Sequence, residues 1–539
     1  MTVRIGVDFG AANTVVARWD EALGRGEPVP LDGMDLLREA GDGVTQRVVP
    51  SLVAYSTRDG RRWVGAQVTA QREPGSDPGT VVFEGMKGAV TGRTVNVPRR
   101  AGGRKITMTQ AATDFLGDVM AFAALSVDTD DLEIVVTAPV EAFDAYRDWL
   151  VQKVGTGLAG TRLRVVDEAT AAAVGYRARM SPGDVFCVFD FGAGTLDICV
   201  VRVTDSGESR DGSAGVRVIA KAGLDLGGNH IDMLLAEWAA ATAGVPQSDA
   251  VAYNQVFSRL KASAEAAKVA LTSREDAAIE AVDPVRGTVY RADVARWQFE
   301  RLLHEHDVLG KASRGLNKAL DDATARGYPS SQVAGVFLVG GSSLIPAVQD
   351  VVRQRFSPSI VHLERPLEAV AAGAAAIAGG QELHDHIQHD YLIRHVTART
   401  NAYEFEPLVA AGTAYPTPEP VTSLTIRAVH AGQRRMGIHV YERAHATYRD
   451  EAPTRELVFD ADGGSRVVQV SPQQRQEQAM LWLNEDSPTF LEAVPPAQPG
   501  ADRFRLDFRI DSQKLLTVSA FDLHRRIWVL ERQPVVRLA

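Results

Sequence analysis

Asp8 and Asp190 each stand near the end of an apolar strand, just ahead of a run of small residues. The two segments are Ile5-Gly-Val-Asp-Phe-Gly-Ala-Ala-Asn-Thr14 and Val188-Phe-Asp-Phe-Gly-Ala-Gly-Thr-Leu-Asp197. A third, Val336-Phe-Leu-Val-Gly-Gly-Ser-Ser-Leu-Ile-Pro346, has the same grammar without the acid. Small residues let backbone N–H groups close on an anion, and a neighbouring carboxylate suits a hydrated Mg2+ held against phosphate oxygens. The expected chemistry is phosphate binding by Gly10, Ala11, Ala12 and Asn13 on one side and by Gly192, Ala193, Gly194 and Thr195 on the other. Gly340, Gly341 and Ser342 would complete the clamp. Read singly, each of the first two turns is equally a tight strand-to-strand hairpin. Three in one chain make a nucleotide site the expectation.

Within that site Asp8 and Asp190 would order metal-bound water, Asp197 would assist, and the Thr195 hydroxyl would reach the terminal phosphate. Glu168, in Val165-Val-Asp-Glu-Ala-Thr-Ala-Ala-Ala173, occupies a strand-to-helix junction, either to position an attacking water or as a capping acid. Leu226-Gly-Gly-Asn-His-Ile-Asp232 opens a helix with Gly227 and Gly228, an amide-rich turn that could hold an anion. Glu265, Lys268 and Thr272 fall at i, i+3 and i+7 and share a helix face, which suits ribose hydroxyls and a purine edge or is a solvated polar stripe.

These residues need a frame of sheets and helices. Residues 1–378 alternate strand candidates (Ile5–Phe9, Ser51–Tyr55, Glu133–Thr137, Leu163–Val166, Val185–Phe189, Ile198–Val203, Val336–Val339) with helix candidates (Gln110–Ser126, Glu141–Gly155, Asn229–Ala241, Asn254–Thr272, Asp293–Ala325, Pro346–Phe356). Such alternation implies an α/β architecture. After Gly379-Gly380 a histidine-bearing stretch to residue 402 lacks periodicity and is expected to be a linker. From Tyr403 to the last residue strands follow one another, with alternation such as Phe504-Arg-Leu-Asp-Phe-Arg-Ile510 marking an antiparallel sandwich.

Composition narrows the class. The 539 residues are 45% hydrophobic and 23% charged, ordinary for a globular protein. A net charge of −10 argues against nucleic acid or an anionic membrane as partner. The first strand starts within five residues of Met1, leaving no room for a signal peptide, and Ala369–Ala378 is too short to span a bilayer. Cys187 and Cys199 are expected as free thiols of a cytoplasmic chain.

In this order the motifs resemble the seventy-kilodalton heat-shock chaperones, the DnaK-like family of the actin-like ATPase superfamily. The resemblance covers nearly the whole chain. Glu168–Ala173 and Glu368–Ala375 match the family's connecting segments; Gly412–Pro418, Met436-Gly-Ile-His-Val440, Pro495–Gly500, Leu506–Asp511 and Leu516–Asp522 match its peptide-binding sandwich. It implies a two-lobed, ribonuclease-H-like α/β ATPase domain over 1–378, a linker over 379–402 and an all-β sandwich over 403–539. It implies ATP/ADP and Mg2+ as ligands, with unfolded or extended polypeptide segments and co-chaperones as partners. Ile426, Val429 and Met436 fall where the family lines its pocket for an apolar peptide side chain.

Several positions depart from the family pattern. Its paired threonines are Ala11 and Ala12, its middle glycine of the second turn is Ala193, its adenine-packing arginine is Leu344, and its ribose-contacting aspartate is Leu367. Of nine lysines, Lys87 is read as a conformational element, and the segment Val97-Pro-Arg-Arg100 puts Arg100 at the catalytic lysine position. Residues 444–487 are an insertion, and the helical lid is missing. The expectation is an ATP-dependent chaperone that couples nucleotide state to binding of exposed apolar segments. The alternative is a nucleotide-gated scaffold with little hydrolysis and one dedicated partner.

Overall fold

The computed structural model describes residues 2–40, 44–71, 79–90, 98–125, 132–139, 149–150, 162–204, 215–381, 383–384, 387, 389–396, 403–413, 415, 417–443, 454–459, 465–470, 480–484, 489–511 and 514–538. Two compact units emerge. One comprises Met1–Val140, Asp148–His384 and Ala452–Val470, the other Glu141–Arg147, Asp385–Glu451 and Ser471–Ala539.

The first unit is built on two mixed sheets of similar plan. One holds β1 (Val3–Phe9), β2 (Asn13–Asp20), β3 (Arg25–Pro28), β4 (Leu36–Glu39), β5 (Thr45–Pro50), β6 (Leu132–Ala138) and β7 (Arg162–Asp167) in the order β7-β6-β1-β2-β5-β4, with β3 on β2. The other holds β8 (Val185–Phe191), β9 (Leu196–Val203), β10 (Val216–Leu224), β11 (Val333–Val339), β12 (Val361–His362) and β13 (Leu383–His384) in the order β12-β11-β8-β9-β10-β13. In each, an antiparallel hairpin (β1–β2, β8–β9) lies beside a parallel strand (β6, β11). Every residue of β8 is buried, as expected for a strand covered on both faces. Cys187 pairs with Val200 and Cys199 with Val188, so the two thiols point to opposite faces and stay free.

Five helices position the site: α1 (Met86–Val90), α2 (Glu168–Tyr176), α3 (Gly228–Thr242), α4 (Ala250–Ala270) and α5 (Ala369–Ala378). Helix α2 packs on β8 and β9, while α5 packs on β1, β2, β3 and β6, and the two helices cross. Their crossing is backbone against backbone. A Cβ on Gly373 would overlap the Ala171 carbonyl, and one on Gly175 would come within 2.7 Å of the Ala369 carbonyl. Only alanine and glycine permit that approach, which is why both connecting segments are rich in them.

Two expectations need revision here. The single helix expected over Asp293–Ala325 is a strand, Val289–Ala295, then helices Arg296–Glu305 and Val308–Ala325 broken at Asp307, whose φ is 56°. The expected helix Glu141–Gly155 lies almost wholly outside the described residues.

In the second unit the strands are β14 (Asp390–Val396), β15 (Tyr403–Val409), β16 (Thr422–Arg427), β17 (Gln433–Ile438), β18 (Val440–Arg443), β19 (Met480–Trp482), β20 (Thr489–Ala497), β21 (Asp502–Ile510), β22 (Leu515–Asp522) and β23 (Ile527–Arg537). They form antiparallel sheets β15-β14-β18-β19, β16-β21-β22-β23 and β17-β20 around one apolar core. The segment expected as linker therefore contributes a strand. Tyr391, Leu392 and Ile393 are buried in it, and the Tyr391 hydroxyl donates to buried Glu442 at 3.1 Å. Most of the expected insertion, 444–487, lies outside the described residues apart from the hairpin Thr454–Phe459 with Ser465–Val470 and strand β19. Among the described residues no helix is long and apolar enough to cross a membrane.

Candidate functional site

The turn between β1 and β2 is shaped by one serine. Ser51 donates to the turn twice: its Oγ to the Gly10 carbonyl at 2.7 Å and its N–H to the Ala12 carbonyl at 2.9 Å. In a trans peptide the following N–H points opposite to the carbonyl. Pinning those two carbonyls therefore aims the amides of Ala11 and Asn13 away from Ser51.

The turn between β8 and β9 is shaped the same way by other donors. The Gly192 carbonyl accepts from Gly228 N at 3.0 Å and Ser342 Oγ at 2.9 Å, and the Ala193 carbonyl from Asn229 N at 2.8 Å. The amides of Ala193 and Gly194 consequently face away from α3. Gly227 and Gly340 sit against this turn with no room for a side chain. A Cβ on Gly227 would overlap the Ala193 carbonyl, and one on Gly340, at φ 78°, would lie 2.7 Å from Asp190 Oδ1. The amides of Gly228 and Asn229 are engaged by the turn and hold it in shape, so of the expected glycine pair Gly228 supports the second turn with its amide.

The two turns face each other. A Cβ built on Gly194 lies 3.4 Å from the Ala11 Cβ, so the alanine that replaces a threonine fills the narrowest point. Behind them gather four carboxylates. Asp190, Asp197 and Glu168 are buried, and Asp8 is half-buried beside Thr137, whose Oγ1 donates to Asp8 Oδ1 at 2.9 Å. Asp190 and Asp197 are direct partners across β8–β9, and Thr195 is buried in the same turn. Burial first, then the Glu168 charge, pushes Asp8 up to about 7 despite Lys87 and Thr137. Burial first, then Glu168, Asp8 and Asp197, holds Asp190 well above the usual carboxylate range. Groups so displaced, close to two opposed small-residue turns, make this the candidate site.

The cation in this cluster is Lys87. It is buried on α1 and donates to Glu168, also buried. Arg100, expected in that role, lies exposed on the short strand Arg99–Ala101, paired with Lys105. That assignment is corrected: the lysine read as a conformational element is the one the fold buries against the acids.

On the far side of the second turn Lys268 is buried, donating to the Gly228 carbonyl at 3.2 Å and pairing with Asp232 at 2.8 Å. Glu265 and Lys268 both act electrostatically on Asp232 of α3, and Lys268 reaches the second turn's support through the Gly228 carbonyl. Thr272 does not take part. Helix α4 ends at Ala270 and the Thr272 hydroxyl turns back to the Val269 carbonyl at 2.7 Å. Leu344 is half-buried just past the third turn, and Leu367 lies 3.6 Å from where a Gly341 Cβ would be, so both departures border that turn.

Lys87 pairs with one of the four carboxylates, Glu168. Among the described residues no three acids, histidines or cysteines converge to ligate an ion directly. Ser51, Thr137 and the Lys87–Glu168 contact were not anticipated as site features. Thr137 was within reach of sequence reasoning, since a parallel pairing of β1 with β6 sets Val7 beside Val136 and so brings Asp8 next to Thr137.

In the sandwich, Met436 is 6% exposed in the core, Ile426 is half-buried against it, and Val429 is 39% exposed in the β16–β17 turn. Those three positions therefore differ in access, and an entering side chain would have to displace Met436.

Two opposed hairpin turns with amides aimed away from their supports, backed by buried acids and a lysine, make the candidate site of a mixed α/β unit in a chain that also carries a β-sandwich. The family comparison is specific: the model described as Hsp70 protein matches residues 4–457. The chain belongs to the Hsp70 family. It is similar to "Chaperone protein HscA homolog" of Delftia acidovorans, 27% identical over 96% of this chain and 76% of the relative. It is similar also to "Chaperone protein DnaK" of Thermus thermophilus, 27% identical over 96% of this chain and 78% of the relative. "Chaperone protein dnaK1" of Synechocystis is 27% identical over 96% and 70%.

Proposed function

We propose that the first unit is an actin-like ATPase domain and that the protein is an ATP-dependent chaperone, its nucleotide state governing how the sandwich holds exposed apolar polypeptide. The observation that carries this reading is the convergence of the Gly10–Asn13 and Gly192–Thr195 turns over Asp8, Glu168, Asp190 and Asp197. The amides of Ala11, Asn13, Ala193 and Gly194 would cradle the phosphates. Mg2+, held through water by Asp8 and Asp190, would neutralise phosphate charge. Glu168 would orient the attacking water, Lys87 would hold Glu168 and offset charge, and Thr195 would reach the terminal phosphate, because this chemistry is placement and charge neutralisation. Ser342, Gly341, Glu265 and Lys268 would border the nucleoside. Exposed Val429, Phe490 and Val494 give the sandwich apolar surface for a polypeptide.

Calorimetry with ATP and ADP, with and without Mg2+, tests the site; Mg2+-dependent binding is expected, and none at all would end the reading. Anisotropy of a labelled apolar peptide tests the coupling, which fails if affinity is equal with ATP, ADP and no nucleotide. The alanines at 11 and 12 remove two hydroxyls from the phosphate cradle, each worth about 0.5–1.5 kcal/mol as a hydrogen bond. They favour a second reading, a scaffold that binds ATP and hydrolyses it little. Single-turnover hydrolysis against an Asp190→Asn control separates the two.

A further inference from the structure

Asp167 and Glu168 are consecutive acids at the junction of β7 and α2, 2% and 7% exposed. Each takes one lysine, and the lysines come from opposite sides. Lys87 reaches Glu168 from α1, whereas Lys221 reaches Asp167 at 2.6 Å from β10, in the other sheet. The Lys221 and Asp167 side chains are 3% and 1% exposed, so water does not screen the pair. Asp167 also caps α2, its Oδ1 accepting from Thr170 N at 2.9 Å. One carboxylate thus ties the last strand of the first sheet, the first turn of α2 and the second sheet together.

We propose that the Lys221–Asp167 pair is a latch between the two sheets, and that Lys221 is a positioning residue holding Glu168 in register with Asp190 and Asp197. Lys221 lies two residues along β10 from Gly223, the direct partner of Asp197. Its ammonium therefore ties the β7–α2 junction to β10, the strand paired with β9, which carries Asp197. Without it, Asp167 would be a buried carboxylate beside a second one, and the junction would have to open toward water to hydrate it. Glu168, the next residue, moves with that opening. The geometry stands alone; its consequence for turnover rests on the phosphate-site reading above.

The test compares Lys221→Met, Lys221→Arg and Asp167→Asn by amide hydrogen exchange without nucleotide and by ATP turnover with it. The latch predicts that Lys221→Met speeds exchange of the Ala169–Val174 amides by about tenfold or more relative to the rest of the unit. It also predicts a kcat lower by about tenfold with KM within about threefold, since the loss concerns placement and not affinity. Lys221→Arg restores both. Asp167→Asn keeps a capping oxygen and loses the charge, giving the same changes at smaller size. Unchanged α2 protection in Lys221→Met refutes the latch, as does loosening spread evenly over both sheets or an arginine variant no better than methionine. A wild-type chain that neither binds nor hydrolyses ATP sinks the phosphate-site reading, while hydrogen exchange still decides the latch.

Discussion

The two halves of the phosphate clamp reach the same shape by different means. Around Gly10–Asn13 the backbone is held by side-chain hydroxyls: Ser51 on the Gly10 carbonyl, Thr14 against Ser51 at 3.0 Å, and Thr137 on Asp8. Around Gly192–Thr195 it is held mainly by close-packed backbone, with Gly227 and Gly340 filling spaces that admit no Cβ. A hydrogen-bonded support can lose one bond and relax. A close-packed support cannot take one carbon atom more without moving the turn. The first turn has a close-packed point of its own, since a Cβ on Gly10 would overlap the Asn13 carbonyl. The difference lies in the supports, adjustable for the first turn and rigid for the second, and substitutions in them should report it.

The largest effect belongs to the one lysine facing the acids. Lys87→Met is expected to cut single-turnover ATP hydrolysis by about 1,000-fold, equivalent to about 4 kcal/mol, with ADP affinity changed far less. Next come the rigid supports. Gly340→Ala, at a left-handed φ and against Asp190, should weaken ADP binding by about 100-fold or unfold the unit, read by calorimetry and circular dichroism. Third is the pH response of Asp8. Its pKa is raised to about 7, so the proton bound below that pH competes with the metal. Mg2+·ADP affinity should rise by up to about tenfold per pH unit between pH 6 and 7 and level off above, with proton release that Asp8→Asn abolishes. The sign for the free protein is opposite: a raised acid favours the folded state at low pH, and that contribution is lost as pH climbs from about 4 to 7. Among the adjustable supports, Ser51→Ala removes two neutral hydrogen bonds, to the Gly10 carbonyl and with Thr14, and should cost about fivefold in ADP affinity, near 1 kcal/mol. Arg100→Ala, on an exposed strand, should stay within about twofold of wild type in hydrolysis. A loss at Arg100 as large as at Lys87 would reverse their assignment.

Much of the site was legible because it is local. A strand, a small-residue turn and an acid occur within ten residues at Asp8 and again at Asp190, and the acid at a strand–helix junction marks Glu168. The sandwich strands were legible for the same reason, as alternation in Phe504–Ile510 shows. What escaped depends on distant pairing. Lys87 sits in a five-residue helix with no periodicity to read, and Arg100 looked better because its neighbours resembled a motif. Ser51 and Thr137 are ordinary strand hydroxyls until register places them beside a turn. The use of the Gly228 amide on the Gly192 carbonyl escaped because an N-terminal glycine looks the same whether its amide faces a ligand or a neighbouring carbonyl. Asp390–Val396 was taken for linker because its charged and apolar residues were weighed singly and not as a strand buried through Tyr391, Leu392 and Ile393.

The α2–α5 crossing decides what kind of motion the first unit permits. Where Gly175 and Gly373 bring main chain onto main chain, there are no knobs seated in holes to be lifted out. A change in the distance between Ala11 and Gly194 would have to be taken up where these helices touch through main chain, and a Cβ at Gly175 or Gly373 is expected to disturb that seam.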